Sequence, residues 1–304
     1  MPANATERVR VIPTGAALGA EITGIDLGGE VPPDTREALI EAWVEHLVLL
    51  FRDQDLTADR FLAAARLFGD LQVSITRRRP AAAAEAVTGD AGAPEICVLH
   101  NLGPDGRPVA SNSGAGSGAL AWHSDNSYSE TPPAGTMLYA REVPPSGGNT
   151  CFSNQYLAYE ALDAAVRESL AGRTAVQDYS RDGAGRLRPD VSAPATREEV
   201  PGAHHPIVRT HPLSGRRALY LGRRFAQPSQ YVDGMPHADS ERLLDLLWER
   251  ATDPAFVWCH AWQRGDVLLW DNRCTLHRRD AIPTTARRVM LRTLIAGDAP
   301  LSGA

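Results

Sequence analysis

Three shortages bound this chain of 304 residues before any motif is considered. No stretch approaches the roughly 18 consecutive apolar residues that span a bilayer, so a membrane protein is not expected. Positive charge is not in excess: Lys+Arg 31 against Asp+Glu 37 leaves −6, the wrong sign for a dedicated nucleic-acid binder. Cysteine is scarce. Cys97, Cys151, Cys259 and Cys274 lie far apart with no CxxC pair, which fits neither a secreted disulfide framework nor a cysteine-type zinc site. Residues 1–22 contain no continuous apolar stretch of the signal-peptide kind, and a reduced cytoplasm is the expected compartment. What is present is a 43% hydrophobic composition, too apolar for a disordered chain and long enough to bury a large core without staples.

The local patterns mix a few helices with many short strands. Residues 35–47 carry Leu39, Ile40, Trp43, Val44 and Leu47 at three- and four-residue spacing, which predicts an amphipathic helix. A dense apolar run at 48–51 reads as a buried strand. Thr57 is placed to cap a second helix with Phe61, Leu62, Ala65 and Phe68 on one face and Gly69 beyond its end. Helices are also expected over 157–170 and 240–251. Short β-type runs at 97–100, 136–141, 207–211, 218–221, 256–262, 267–270 and 289–295, bounded by Gly, Pro and Asn, argue for a sandwich or barrel with helices outside. The expected fold is therefore α+β, mainly β with flanking helices, in one domain covering 1–304. Two long stretches, near 77–94 and 182–203, read as lids or loop insertions.

Most of the nine histidines have ordinary readings: helix, strand end, turn or core edge. His123 differs, because Trp122-His123-Ser124-Asp125 sets an imidazole and a carboxylate two residues apart. On a strand, side chains at i and i+2 share a face, so one metal ion can meet both. Two histidines and one carboxylate with open positions are the usual ligand set of non-haem Fe(II) oxygenases. His277, which follows a turn and strand over 265–273, is the best third ligand. Arg288 and Arg292 come eleven and fifteen residues later on one face of a strand-like segment. An inward guanidinium needs an anion, and its fork matches a carboxylate bidentately.

With these residues in place, the chain resembles the taurine dioxygenase/2,4-dichlorophenoxyacetate dioxygenase (TauD/TfdA-like) family of Fe(II)- and 2-oxoglutarate-dependent oxygenases. The likeness covers nearly the whole chain. It runs through residues 19–27, Phe51-Arg52-Asp53-Gln54, the His123/Asp125 motif, Pro132-Pro133-Ala134-Gly135, Gly147-Gly148-Asn149-Thr150, residues 205–212, Trp270-Asp271-Asn272-Arg273 with His277, and the closing arginines. The resemblance implies a double-stranded β-helix, or jelly roll, with His123, Asp125 and His277 as iron ligands. It implies that Arg288 and Thr150 hold the distal carboxylate of 2-oxoglutarate and that Arg292 holds an anionic substrate. Fe(II), 2-oxoglutarate and O2 are the implied cofactor and cosubstrates, succinate and CO2 the coproducts, and a dimer or tetramer the implied assembly. Because Asp125 keeps the carboxylate that related halogenases replace by a small residue, halogenation is not expected.

The substrate pocket departs from the taurine enzyme. Ser74 and Arg77 stand at positions where that enzyme has a His and a Tyr, Asn126 where it has a valine, Ala119 where it has an asparagine, and Tyr179 where it has a phenylalanine. The expected pocket is thus more polar and more positive, and taurine is expected to be a poor substrate. A small carboxylate, sulfonate, sulfate ester or amino-acid-like anion is expected, with hydroxylation as the main outcome and desaturation or cyclisation as variants. Two other classes are weighed: a zinc hydrolase built on the same ligands, which leaves Thr150 and Arg288 unexplained, and a non-catalytic binding protein, which has no need to retain His123, Asp125, His277 and Arg288 together.

Overall fold

Two alternating sets of apolar side chains along the central strands decide the architecture. The computed structural model describes residues 9–73, 93–103, 105–109 and 117–303. The chain begins with β1 (Arg10–Pro13), β2 (Ala20–Thr23), α1 (Pro33–His46), β3 (Val48–Phe51), α2 (Ala58–Arg66), β4 (Leu71–Gln72) and β5 (Cys97–His100). It continues through β6 (Leu120–His123), β7 (Gly135–Glu142), β8 (Thr150–Asn154), α3 (Gln155–Glu160), α4 (Ala164–Ser169) and β9 (Thr174–Val176). Next come β10 (His204–Pro206), β11 (Val208–Thr210), β12 (Arg217–Leu219) and α5 (His237–Ala251). β13 (Val257–His260), β14 (Val267–Asp271), β15 (Thr275–Arg279), β16 (Val289–Ile295) and β17 (Leu301–Ser302) follow.

The larger sheet has the order β1-β2-β3-β14-β7-β16-β4, with β5 also paired to β16, and a smaller sheet has the order β13-β8-β15-β6. Successive side chains on a strand point to opposite faces. Leu49 and Phe51, Met137 and Tyr139, Val267 and Leu269, and Leu291 therefore pack on one side of the larger sheet, against Leu39 and Trp43 of α1 and Phe61 and Ala65 of α2. Their neighbours Val48, Leu50, Leu138, Ala140, Leu268, Trp270 and Met290 face the other way and meet Phe152 and Tyr156 from the smaller sheet and its adjoining helix. Each such side chain contributes about 1.5–3 kcal/mol by leaving water, and the alternation gives both faces of one sheet a dry partner.

The strand expectations at 48–51, 97–100 and 289–295 match β3, β5 and β16 residue for residue, and the others are met within a few residues. Thr57 caps α2 by accepting from the Arg60 amide at 3.3 Å. Two expectations are corrected. The helix expected over 157–170 is two short helices, because Asp163 is extended (φ −60°, ψ 148°) and Leu162 turns into the core. The cysteines, whose spacing fits no disulfide framework and points to a reduced compartment, include one disulfide: Cys151 on β8 and Cys259 on β13 are register partners across an antiparallel ladder, with Cα atoms 3.9 Å apart at a sequence separation of 108. That pairing follows from strand register, which spacing does not reveal. Cys97 and Cys274 remain thiols.

Residues 182–203 hold no strand, and their helical content is the single 3-10 turn Arg197–Glu199. Of the loop expected near 77–94, only residues 93 and 94 are among those described. No described helix is long and apolar enough to cross a membrane.

Candidate active site

Strand pairing assembles the candidate metal centre. β6 and β15 are antiparallel neighbours in the smaller sheet with His277 directly opposite His123, and their imidazole centroids lie 4.1 Å apart. Asp125 stands two residues beyond the end of β6, and the Ser124 amide between the two candidate ligands donates to the Gly222 carbonyl at 3.0 Å. The His123 Nε2 is 3.8 Å from Asp125 Oδ1 and the His277 Nε2 is 3.9 Å from Asp125 Oδ2. Ligand atoms of all three residues fall within 4.8 Å of one another, and all three are buried.

The surroundings prepare these atoms for a cation. His123 Nδ1 lies 2.8 Å from the Ala121 carbonyl, so the ring proton sits there and Nε2 keeps its lone pair toward the centre, as in metal sites whose ligands are oriented from behind. Burial, then the neighbouring His277 and Arg223, push the His123 imidazole well below its ordinary pKa, and burial also lowers that of His277. Neutral imidazoles are what a metal requires. For Asp125 burial acts to raise the carboxyl, but Arg292, His277 and His123 outweigh it and hold it well below the usual carboxylate range. Thr136 donates to Asp125 Oδ2 at 2.8 Å, Asn272 Nδ2 donates to the Thr136 hydroxyl at 2.9 Å, and Trp270 Nε1 donates to Asn272 Oδ1 at 3.0 Å. The Trp270–Arg273 segment thus aims the Asp125 carboxylate through Thr136. Sequence reading noted that segment but missed Thr136. No local pattern links this threonine to Asp125, eleven residues before it; its bond to Asn272 exists because Thr136 lies opposite Trp270 where β7 and β14 pair.

Thr150 and Arg288 form the candidate 2-oxoglutarate end. Arg288 is 2% exposed, its Nε has no hydrogen-bond partner among the described residues, and burial with the nearby Arg279 guanidinium pushes it down to about 9. A buried cation with no carboxylate partner among the described residues calls for an anionic ligand. Gly148 leaves room there, since a Cβ on it would lie 3.8 Å from the Arg288 Nε. Thr150 begins β8 opposite Arg279 of β15, and its hydroxyl accepts from Trp262 Nε1 at 2.9 Å. These residues fit a dicarboxylate cosubstrate, as the triad fits a divalent metal.

Of the residues expected to meet substrate, Arg292, Asn126 and Tyr179 gather near the triad, while Ser74 and Arg77 lie outside the described residues. Arg292 Nη1 is 3.5 Å from Asp125 Oδ1. Asn126, at φ +46°, accepts from the Tyr128 hydroxyl at 2.7 Å, and the Tyr128 and Tyr179 rings meet edge-on at 4.8 Å. Arg223, which sequence reading passed over, is paired through its backbone with His123 and is 4% exposed. A second cluster, His211, Asp271 and Cys274, is also close enough to hold a metal. Its donors are already committed: His211 Nε2 lies 3.0 Å from Asp271, His211 Nδ1 accepts from the Leu213 and Ser214 amides, and Asp271 takes two bonds from the Arg273 guanidinium.

Comparison with known proteins gives one answer. Residues 10–294 match the model of the family described as taurine catabolism dioxygenase TauD, TfdA family. An (S)-phenoxypropionate/alpha-ketoglutarate-dioxygenase of Delftia acidovorans is 33% identical over 97% of this chain and 98% of its own. The alpha-ketoglutarate-dependent 2,4-dichlorophenoxyacetate dioxygenase of Cupriavidus pinatubonensis is 34% identical over 88% of this chain and 93% of its own. The crystal structure of AAD-2 in complex with Mn(II) and N-oxalylglycine superposes with a TM-score of 0.78 at 27% identity, covering 98% of this chain and 100% of that one. The chain belongs to the TauD, TfdA family and is an oxidoreductase, a dioxygenase dependent on Fe(II), 2-oxoglutarate and O2.

Proposed function

We propose that this dioxygenase hydroxylates a C–H bond of a small anionic substrate other than taurine, releasing succinate and CO2. The observation that carries the reading is the Arg292 guanidinium beside the triad, with its side chain 14% exposed and only the Asp125 carboxylate as ion-pair partner among the described residues. The relatives named for phenoxypropionate and 2,4-dichlorophenoxyacetate support a carboxylate-bearing substrate. Packing of the two sheets through one apolar layer supports a double-stranded β-helix as the scaffold.

When bound, Fe(II) with 2-oxoglutarate and O2 supplies an oxidant strong enough to take hydrogen from an unactivated C–H bond. The chain's own residues do the positioning. His123 and His277 present neutral lone pairs, and Thr136 fixes the plane of Asp125. Arg288 and Thr150 hold the distal carboxylate of the cosubstrate, and Arg292 takes the substrate's anionic head. The polar Asn126 and Tyr179, with Ser74 and Arg77 in the part of the chain not described, adapt the pocket away from taurine. The same reading carries a lid over residues 182–203 and a dimeric or tetrameric assembly; the expected cytoplasmic location draws on cysteines without a disulfide framework, and the Cys151–Cys259 disulfide stands against it.

The test is anaerobic visible absorption. Addition of Fe(II) and 2-oxoglutarate to the protein is expected to give a weak charge-transfer band that His123→Ala abolishes. No band in folded wild type would sink the reading, and efficient taurine turnover with sulfite release would overturn the substrate assignment alone.

A further inference from the structure

Arg223 is a surplus charge in this site. It follows Gly222, and its backbone bridge to His123 fixes it beside the candidate metal ligands. Its Nη1 donates to the Arg181 carbonyl at 3.1 Å, while its Nε is buried with no hydrogen-bond partner among the described residues. No described carboxylate forms an ion pair with it. The guanidinium carbon lies 5.6 Å from the Tyr128 ring. Arg188 approaches the same ring at 4.9 Å and Tyr179 at 4.4 Å, and its Nε is likewise buried and unpartnered. Arg292, 3.5 Å from Asp125 on the other side, is the third guanidinium whose charge reaches Tyr128.

Charge balance shows what this group needs. Fe(II) with the Asp125 carboxylate leaves one positive charge, and Arg288 adds a second. The two carboxylates of 2-oxoglutarate balance those. A monoanionic substrate then balances Arg292 and leaves Arg223 without an anion in contact: the buried Asp178 carboxylate acts on it only through space, and Arg188 stands at its edge, where the nearby Asp190 is engaged by the Tyr179 hydroxyl at 2.9 Å. Keeping a guanidinium in so dry a place with no described carboxylate in contact costs more than its one hydrogen bond returns.

We propose that the substrate carries two anionic groups, such as two carboxylates or a carboxylate with a sulfonate, one held by Arg292 and the second by Arg223 with Arg188. The segment between them lies along Tyr128 and Tyr179, which fixes which C–H faces the metal. This inference rests on the reading of Arg292 as the holder of the first anion.

The experiment compares matched probes on wild-type enzyme loaded with Fe(II) and saturating 2-oxoglutarate without O2. Phenoxyacetate is titrated against 4-carboxyphenoxyacetate, and propane-1-sulfonate against 3-sulfopropionate, following the charge-transfer band. In at least one pair the dianion is expected to bind about tenfold more tightly or better, the scale of one added charge-assisted contact. Arg223→Gln is expected to erase that advantage, and Arg188→Gln, at a half-buried position in an otherwise exposed loop, to reduce it. Equal affinities within both wild-type pairs overturn the proposal, as does an advantage that survives Arg223→Gln in protein of unchanged thermal stability. Displacement of 2-oxoglutarate by the dianion overturns it too, by moving the second charge to Arg288. Failure of the band to form before any probe is added overturns the oxygenase reading itself, a distinct result.

Discussion

Arg288 and Arg223 are both buried arginines without a carboxylate among the described residues, yet only the first can be found by reading the chain. Arg288 lies at a fixed distance after His277 within a segment whose alternation is plain. Arg223 stands in Gly222-Arg223-Arg224, which looks like a solvated basic pair. The structure separates the two neighbours: Arg224 reaches Glu241 and Asp245 at 3.0 and 2.7 Å, while Arg223 is 4% exposed. Thr136 is hidden for a related reason, since a threonine inside an apolar strand gives no sign that a carboxylate will lie across from it. For Arg288 the consequence is measurable. Arg288→Gln is expected to weaken 2-oxoglutarate binding by about 30- to 100-fold, the value of a charge-assisted bidentate contact, with the Fe(II) affinity nearly unchanged. Arg288→Lys should recover only part of it, because an ammonium cannot reproduce the planar fork. Calorimetric titration of 2-oxoglutarate into the metal-loaded protein decides this, and a loss below about threefold in the Gln variant would remove Arg288 from the cosubstrate site.

At the level of elements, what was legible is what alternation and caps encode. β3, β5 and β16 were readable because each is a short apolar run closed by turn residues, and α2 because Thr57 and its apolar face agree. The break between α3 and α4 was not, since residues 157–170 keep apolar spacing through a turn that is fixed by where Leu162 packs. Gly222 is a further case of context. Its φ is +68°, and a Cβ there would fall 1.7 Å from Gln177 Oε1 and 2.7 Å from Ser127 Oγ. Its carbonyl accepts the Ser124 amide between two candidate metal ligands. Gly222→Ala is therefore expected to cost about 2–4 kcal/mol through left-handed strain and overpacking, and to lower the amount of Fe(II) bound at a fixed free concentration. Thermal unfolding and metal titration test the two effects separately. A variant with wild-type melting temperature and wild-type iron affinity would show that this turn does not hold the His123–Asp125 segment.

The whole molecule depends on contacts that join distant parts of the chain, and one of them carries a pH dependence. Asp271 ends β14 and accepts from His211 Nε2 at 3.0 Å, from Arg273 Nε at 2.9 Å and from the Arg273 amide at 2.9 Å. Burial acts to raise its carboxyl, but the Arg273 charge and hydrogen bonds and the His211 contact outweigh it, and the folded pKa lies well below the usual range. In the unfolded chain the same group takes up a proton near about pH 4. Across the interval below that value the unfolded state binds the extra proton, so stability rises with pH there. The stabilisation from Asp271 is complete above about pH 5 and is lost progressively as pH falls toward the folded pKa. Asp271→Asn should lower stability at neutral pH by about 3 kcal/mol, because it leaves a buried guanidinium without its anion. It should also flatten the acid limb: between about pH 5 and about pH 3 the melting temperature of the wild type is expected to fall more steeply than that of the variant. Parallel acid limbs in the two proteins would place the acid-sensitive carboxylate elsewhere, even if the neutral-pH loss were as large as expected.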